Sequence, residues 1–326
     1  MTRPSEAAPE AASGAKAAEE RAAVVAGALC YVFWGFLPLL FKAAAWAGAT
    51  PWEIVAWRSV WSLLISGGLV LAVRQGGAAL AVLRAPRTLA WLTASALLIG
   101  ANWSLFVVAV NSGHTLDASL GYYLNPLMSV AAGLVLFRER IGTGGWIAIV
   151  LAGAGVAVQT VEHGQLPLAA LGMATTFCAY GVIRKRVAVE ALTGLFVECL
   201  ILAGPALAYG LWLQSTGAGH AAHPLTGLLL MLCGPATVAP LATFAWAARR
   251  MPLSTLGFLQ FIAPTMQFVI GVETGERLTA PSVFAFALIW SGVAVYAAAA
   301  WHGARRAPAS QRGQVSGEAA RTSPQR

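Results

Sequence analysis

The chain has 326 residues, 58% of them hydrophobic and only 10% charged, with a mean hydropathy of +0.69 and a formal net charge of +8. Soluble domains carry charge on about a quarter of their residues, so a soluble globular fold is excluded and an integral membrane protein is expected, with the lipid bilayer as its first partner. The basic excess does not point to nucleic acid, because positive-inside loops supply it and no basic patch interleaved with aromatics occurs.

Residues 1–21 are rich in Ala and Glu and lack the basic start, short apolar stretch and cleavage site of a signal peptide. They read as a disordered cytoplasmic tail, which leaves the first apolar run to serve as an uncleaved insertion signal. A bilayer core about 30 Å thick needs roughly 20 apolar helical residues. Charges, prolines and glycines cut the chain into ten such runs, near 22–41, 53–73, 88–110, 117–137, 144–161, 166–183, 193–213, 225–248, 253–272 and 281–301. Linkers as short as 111–116 and 162–165 permit only antiparallel hairpins, so consecutive spans alternate in direction. Segment 302–326, rich in Arg, Pro, Ser and Gln, reads as a second disordered cytoplasmic tail.

Eighteen of the 21 Lys and Arg residues fall in the tails and alternate linkers of one side; only Lys42 and Arg277 fall on the other, and Arg58 lies inside a span. Cytoplasmic loops are the basic ones, so both termini are expected in the cytoplasm. A missed or extra span would scramble that alternation.

The stretch 117–141, DASLGYYLNPLMSVAAGLVLFRERI, has a second copy at 253–278, LSTLGFLQFIAPTMQFVIGVETGERL. Each has a small polar start, a Leu-Gly, a mid-run proline (Pro126 or Pro264) and a charged stop at Glu139 or Glu276, at offsets of 137 or 138 residues. One duplication with a one-residue indel explains both. Five spans per copy is an odd number, so the second copy must enter the membrane from the opposite face. The expected fold is an all-α integral membrane protein of ten transmembrane helices in two inverted five-helix repeats, 22–163 and 164–301. Secondary transporters use this architecture and bind substrate near the midplane between the repeats.

Helical spacing puts Ser119, Tyr122, Pro126 and Ser129 on one face of the fourth span with Asn125 beside it, and Ser254, Gly257, Gln260, Pro264 and Gln267 on one face of the ninth. A polar stripe cannot face hydrocarbon, so both should face the protein interior, either lining a cavity or bonding helices together. The first span of each half carries an aromatic-glycine step, Trp34-Gly35 and Tyr180-Gly181, mid-run and away from any interfacial belt. Tyr31 shares the Trp34 face, and Asn102 lies deep in the third span. Cavity candidates are therefore Tyr31, Trp34, Asn102, Tyr122, Asn125, Tyr180, Gln260 and Gln267.

Arg58 and Glu198 are charges about five residues inside their predicted spans, where such groups are partnered or face a cavity. Asp117 is the expected partner of Arg58, and the basic ends 184–186 and 249–250 are those of Glu198. Packing ion pairs and a role in charge recognition, coupling or gating both remain open for Arg58, Asp117 and Glu198. The Arg138-Glu139-Arg140 and Glu276-Arg277 ends read as stop signals with interfacial salt bridges rather than ligand sites.

Catalytic signals are missing: the chain has no GxxxxGK[ST], HExxH or GxSxG motif, and its five histidines are scattered over loops and span ends. Cys30, Cys178, Cys199 and Cys233 lie in apolar runs without metal-ligand spacing, so no cofactor, metal or disulfide framework is expected. Energy from ATP is not supplied by this chain, and Glu198 is the one deep candidate for proton coupling. A small-molecule substrate is the expected partner, while Gly271 and Gly275 could pack helices within one chain or between the copies of a homodimer. A membrane enzyme, a lipid-handling protein and a non-transporting sensor or assembly partner are the rival classes.

The segments YVFWGFLPLLFK (31–42), WEIVAWRSVWSLL (52–64), ANWSLFVVAVNSGHTLDASLGYYLNPLMSV (101–130), FRERI (137–141) and ARRMPLSTLGFLQFIAPTMQF (248–268) carry a family resemblance. Together they resemble the RarD branch of the EamA family, in the drug/metabolite transporter superfamily, along nearly the whole chain. The resemblance implies two EamA repeats, ten helices and a bacterial inner-membrane permease or exporter of small metabolites, with handling of amphenicol-like drugs suggested by the branch label of chloramphenicol-sensitive protein. Departures are an AWRS in the second span where AHR is usual, and longer tails. Neither touches the fold, and the family pattern supplies no agreed set of substrate ligands.

Overall fold

The computed structural model describes residues 7–136, 142–164, 166–248 and 259–306, and it is built from α-helices. In chain order they are α1 (Ala7–Trp46), α2 (Pro51–Ala72), α3 (Gly76–Leu83), α4 (Pro86–Asn111), α5 (Thr115–Leu136), α6 (Thr143–His163), α7 (Leu168–Arg186), α8 (Ala191–Ser215), α9 (Pro224–Ala248), α10 (Ile262–Glu273) and α11 (Ala280–Arg306). Six of these are long and apolar enough to cross a bilayer: α1 from Arg21, α2, α4, α6, α8 and α9. At 1.5 Å per residue, the 22 residues of α2 reach about 33 Å, enough for a hydrocarbon core. The molecule is an all-α, multi-pass helical bundle.

Three boundaries differ from those expected. Helix α1 begins at Ala7, so it takes in most of the segment read as a disordered tail. The GGAALAVL segment forms α3, eight residues too short to cross a bilayer, inside what was read as a linker. The ninth span is not one continuous helix: Gln260 and Phe261 form a turn, and α10 starts only at Ile262. Pro264 is the reason. It lacks an N–H, so the Gln260 carbonyl has no donor four residues on, and a proline is tolerated in the first turn, where that donor would be unused.

Both faces of a helix in lipid can be apolar. On α1, Val25, Leu29, Phe33 and Phe36 are exposed along one side, while Cys30, Leu37, Phe41 and Ala44 are buried along the other. Lipid is as apolar as leucine, so close van der Waals packing must hold the helices together. Small residues permit it: a Cβ on Gly121 of α5 would lie 2.9 Å from the Ala170 carbonyl oxygen of α7, and one on Gly155 of α6 would lie 2.9 Å from that of Ala285 in α11. Helix α6 packs on α11, α2 on α8 and α9, α5 on α7 and α10, α1 on α9 and α10, and α4 on α7 and α8.

Helix starts follow local chemistry. Thr50 caps α2 by accepting from the Glu53 N–H at 3.2 Å, with Pro51 in the first turn. The Glu53 side chain completes no capping box. It is fully buried and accepts instead from the His220 and Ala221 N–H groups, at 2.7 and 3.1 Å, fastening the α8–α9 loop to α2. At the end of α10, Gly275 turns the chain with φ 92°, which only glycine adopts without strain, and so delivers Glu276 to the start of α5.

Candidate substrate cavity

Eight helices converge on one cavity of about 250 Å³. Helix α1 contributes Tyr31, Trp34 and Leu37; α2 contributes Arg58; α4 contributes Ile99, Asn102, Trp103 and Phe106; α5 contributes Tyr122 and Asn125. From the second half of the chain come Phe177 and Tyr180 of α7, Leu195 of α8, Thr237, Leu241 and Phe244 of α9, and Ala263, Pro264 and Gln267 of α10, with Gln260 on the turn before it. Tyr31, Trp34, Asn102, Tyr122, Asn125, Tyr180, Gln260 and Gln267 thus share one wall-lined space, although they come from distant parts of the sequence.

Eight of the 20 residues in the cavity wall are aromatic. Tyr31 meets Trp34 edge-on at 5.4 Å between centroids, Phe244 lies 6.1 Å from Trp34, and Phe106 meets Tyr122 at 5.2 Å. Polar groups interrupt it at fixed points. Asn102 donates to the Met173 carbonyl at 2.8 Å and to Thr176 at 3.1 Å, so it both lines the cavity and ties α4 to α7. Gln267 donates to the Trp34 carbonyl at 3.3 Å, joining α10 to α1, while its Oε1 has no protein partner. Ser119 donates to the Pro264 carbonyl at 2.8 Å, which binds α5 to α10. Ser254 and Gly257 lie outside the described residues, as do the side chains of Pro126 and Ser129.

Arg58 is only 4% exposed. Its Nε donates to the Thr237 hydroxyl at 2.7 Å, and its guanidinium carbon sits 4.4 Å from the Trp103 ring centre and 5.4 Å from that of Phe41. The expected Asp117 partner is a correction: Asp117 borders a separate small pocket with His114, Glu276 and Arg277. Residue spacing gave the helix face of Arg58 but could not show that α9 packs beside it. Thr237 can serve because its own O–H donates to the Cys233 carbonyl at 2.7 Å, which leaves its lone pairs for Arg58.

Glu198 is 1% exposed and, like Arg58 in α2, is the eighth residue of its helix, α8, which packs on α2. It accepts from Ser95 and, at 3.4 Å, from the Tyr180 hydroxyl, and it pairs with Arg184 at 3.8 Å. Of the expected basic ends, 184–186 supplies the partner; 249–250 lies outside the described residues. Gly194 makes this possible, because a Cβ there would collide with the Arg184 guanidinium. Glu198 stands behind Tyr180 rather than on the cavity wall.

Trp103, Phe106, Phe177, Phe244 and Thr237 line the cavity and were not singled out by sequence. Aromatics in an apolar run look alike whether they face lipid or a cavity; the mid-run position that marked Trp34 also applied to Trp103.

The amino-acid comparison decides the family. Residues 21–161 match the EamA-like transporter family. The chain is 38% identical to Protein RarD of Escherichia coli over 293 residues, covering 89% of this chain and 98% of that protein. The chain belongs to the RarD branch of the EamA family. An uncharacterized transporter of Pseudomonas aeruginosa is 42% identical over 88% of this chain and 97% of that protein. A chloramphenicol-sensitive protein RarD of the same organism is 30% identical over 74% of this chain and 82% of that protein. A solved crystal structure shares the fold at a TM-score of 0.56 and 20% identity, covering 85% of this chain and 97% of that one. The EamA family, part of the drug/metabolite transporter superfamily, thus joins this helical membrane chain to transporters of small molecules.

Proposed function

We propose that the protein is a secondary-active or facilitative transporter of the bacterial inner membrane, an exporter of small metabolites or drugs that works by alternating access. Its ten spans form two inverted five-helix repeats, with both termini in the cytoplasm. The packing pattern supports the repeats: exchanging α1, α2, α4, α5 and α6 for α7, α8, α9, α10 and α11 carries its most extensive helix pairs onto one another. Under that exchange α1 on α9 becomes α7 on α4, and α5 on α7 becomes α10 on α1, while α2 on α8, α5 on α10 and α6 on α11 return to themselves. A two-fold axis in the membrane plane has that consequence.

The single observation that carries the function is the cavity, walled by residues of both halves and rich in aromatic and amide side chains. Small-molecule sites have this make-up. The broken start of α10 beside it fits the same reading, since transporters place helix breaks where backbone meets substrate.

Purified protein in liposomes loaded with a bacterial metabolite extract should release some solutes faster than protein-free vesicles. Combining Trp34→Ala, Tyr180→Ala and Gln267→Ala should slow that release about tenfold or more without reducing the amount of folded protein. Unaltered release kinetics in the triple variant would remove the cavity from the mechanism.

A further inference from the structure

Building on the transport reading, we infer that the cavity takes a small organic anion, a carboxylate on an apolar or aromatic body, and that Arg58 is the residue that holds the carboxylate. A buried guanidinium without a counter-charge is costly. Among the described residues no carboxylate lies within ion-pair distance of Arg58, and no Asp or Glu lines the cavity. The guanidinium has five N–H donors in a planar fork, yet Thr237 takes only the Nε proton and Nη1 has no acceptor. Trp103 and Phe41 supply ring faces, which attract the cation without accepting its remaining hydrogen bonds.

The contrast with Glu198 sharpens the point. It is the eighth residue of α8 as Arg58 is of α2, but Arg184 pairs with it and Tyr180 screens it from the cavity. It is therefore not the charge that neutralises Arg58. A bound carboxylate would supply that charge and accept two parallel N–H bonds from the fork. A cationic ligand would meet Arg58 with no compensating acid on the wall. Trp103, Phe106 and Trp34 offer ring surface for the rest of the molecule. At about 250 Å³ the space lies below the roughly 300–1,000 Å³ of drug-sized sites, which restricts the ligand to a small one.

Phenylacetate, phenylacetamide and phenethylammonium have similar size and differ in charge, so equilibrium binding of each radiolabelled probe to the purified protein tests the inference. The wild type should bind phenylacetate about tenfold or more tightly than phenylacetamide, and phenethylammonium most weakly. Arg58→Lys should weaken phenylacetate binding but keep the order, and Arg58→Gln should reduce phenylacetate to the level of the amide. Should Arg58→Gln fail to fold, the wild-type series and Arg58→Lys still decide the matter. Absence of phenylacetate binding, equal binding of all three probes, or an anion preference retained by Arg58→Gln would each overturn the inference. Flux of other solutes without charge preference would do the same while leaving transport intact. Arg58-dependent phenylacetate binding in a protein that moves no solute in liposomes would uphold the anion site and remove transport.

Discussion

Arg184→Gln is expected to destabilise the protein more than Glu198→Gln, although the two residues form one ion pair. Glu198 is 1% exposed, so without Arg184 its charge remains buried with only the hydroxyls of Ser95 and Tyr180 beside it. Removing one partner of a buried pair in this way costs about 3–5 kcal/mol. Arg184 is less trapped: its side chain is 15% exposed and it already reaches the Glu190 and Ala191 carbonyls, both at 3.5 Å. A glutamine at 198 is neutral and keeps one acceptor oxygen, enough for one of the two hydroxyls of Ser95 and Tyr180. Thermal unfolding of both variants in the same detergent checks this, with the larger fall in Tm expected for Arg184→Gln; equal falls, or a larger one for Glu198→Gln, would count against the asymmetry.

Glu276→Gln is expected to loosen one end of the helix bundle. The Glu276 carboxylate accepts from the Thr115 and Leu116 N–H groups, each at 2.8 Å, and lies 3.6 Å from Lys42, so it ties α10 to the start of α5 and the end of α1. A carboxylate at a helix N-terminus also meets the positive end of the helix dipole. Hydrogen bonds to a charged group are worth about 1.5–3 kcal/mol each, and glutamine keeps one acceptor, so separation of α5 from α10 should become easier by about 2–3 kcal/mol, or about 30- to 150-fold. Lys42 is a quarter exposed and should contribute less. A cysteine introduced by Ser119→Cys, at the α5–α10 contact, reads the change in a chain whose native Cys30, Cys178, Cys199 and Cys233 are replaced. Reaction with a membrane-impermeant thiol reagent should accelerate about tenfold or more when Glu276→Gln is added. An unchanged rate would mean that the carboxylate caps α5 without restraining it.

Much of this was legible in the residue order. Membrane helices announce themselves because lipid demands long apolar runs, and nine of the ten expected runs overlap helices α1, α2, α4 to α9 and α11, while the described part of the ninth holds α10. Helix α3 escaped notice because eight apolar residues are too few for the hydropathy of a span. The break before α10 was half visible, since Pro264 marked a lost hydrogen bond but not whether the helix would bend or stop. Polar residues deep in apolar runs drew attention to Asn102, Gln267 and Arg58 for a sound reason: hydrocarbon cannot solvate them. Their partners were another matter. Arg58 meets Thr237 across 179 positions of sequence, and nothing in the spacing along α2 encodes which helix lies alongside.

Alternating access makes a direct demand on the cavity, that it open in turn to each side of the membrane. Asn125→Cys in the cysteine-replaced chain, reconstituted in one orientation, can be exposed to an impermeant thiol reagent from outside or from within. Labelling from both sides, each at a rate limited by a conformational change, is the expected result. Labelling from one side alone under every condition, in a protein that still moves solute, would contradict a central cavity exposed alternately between two halves.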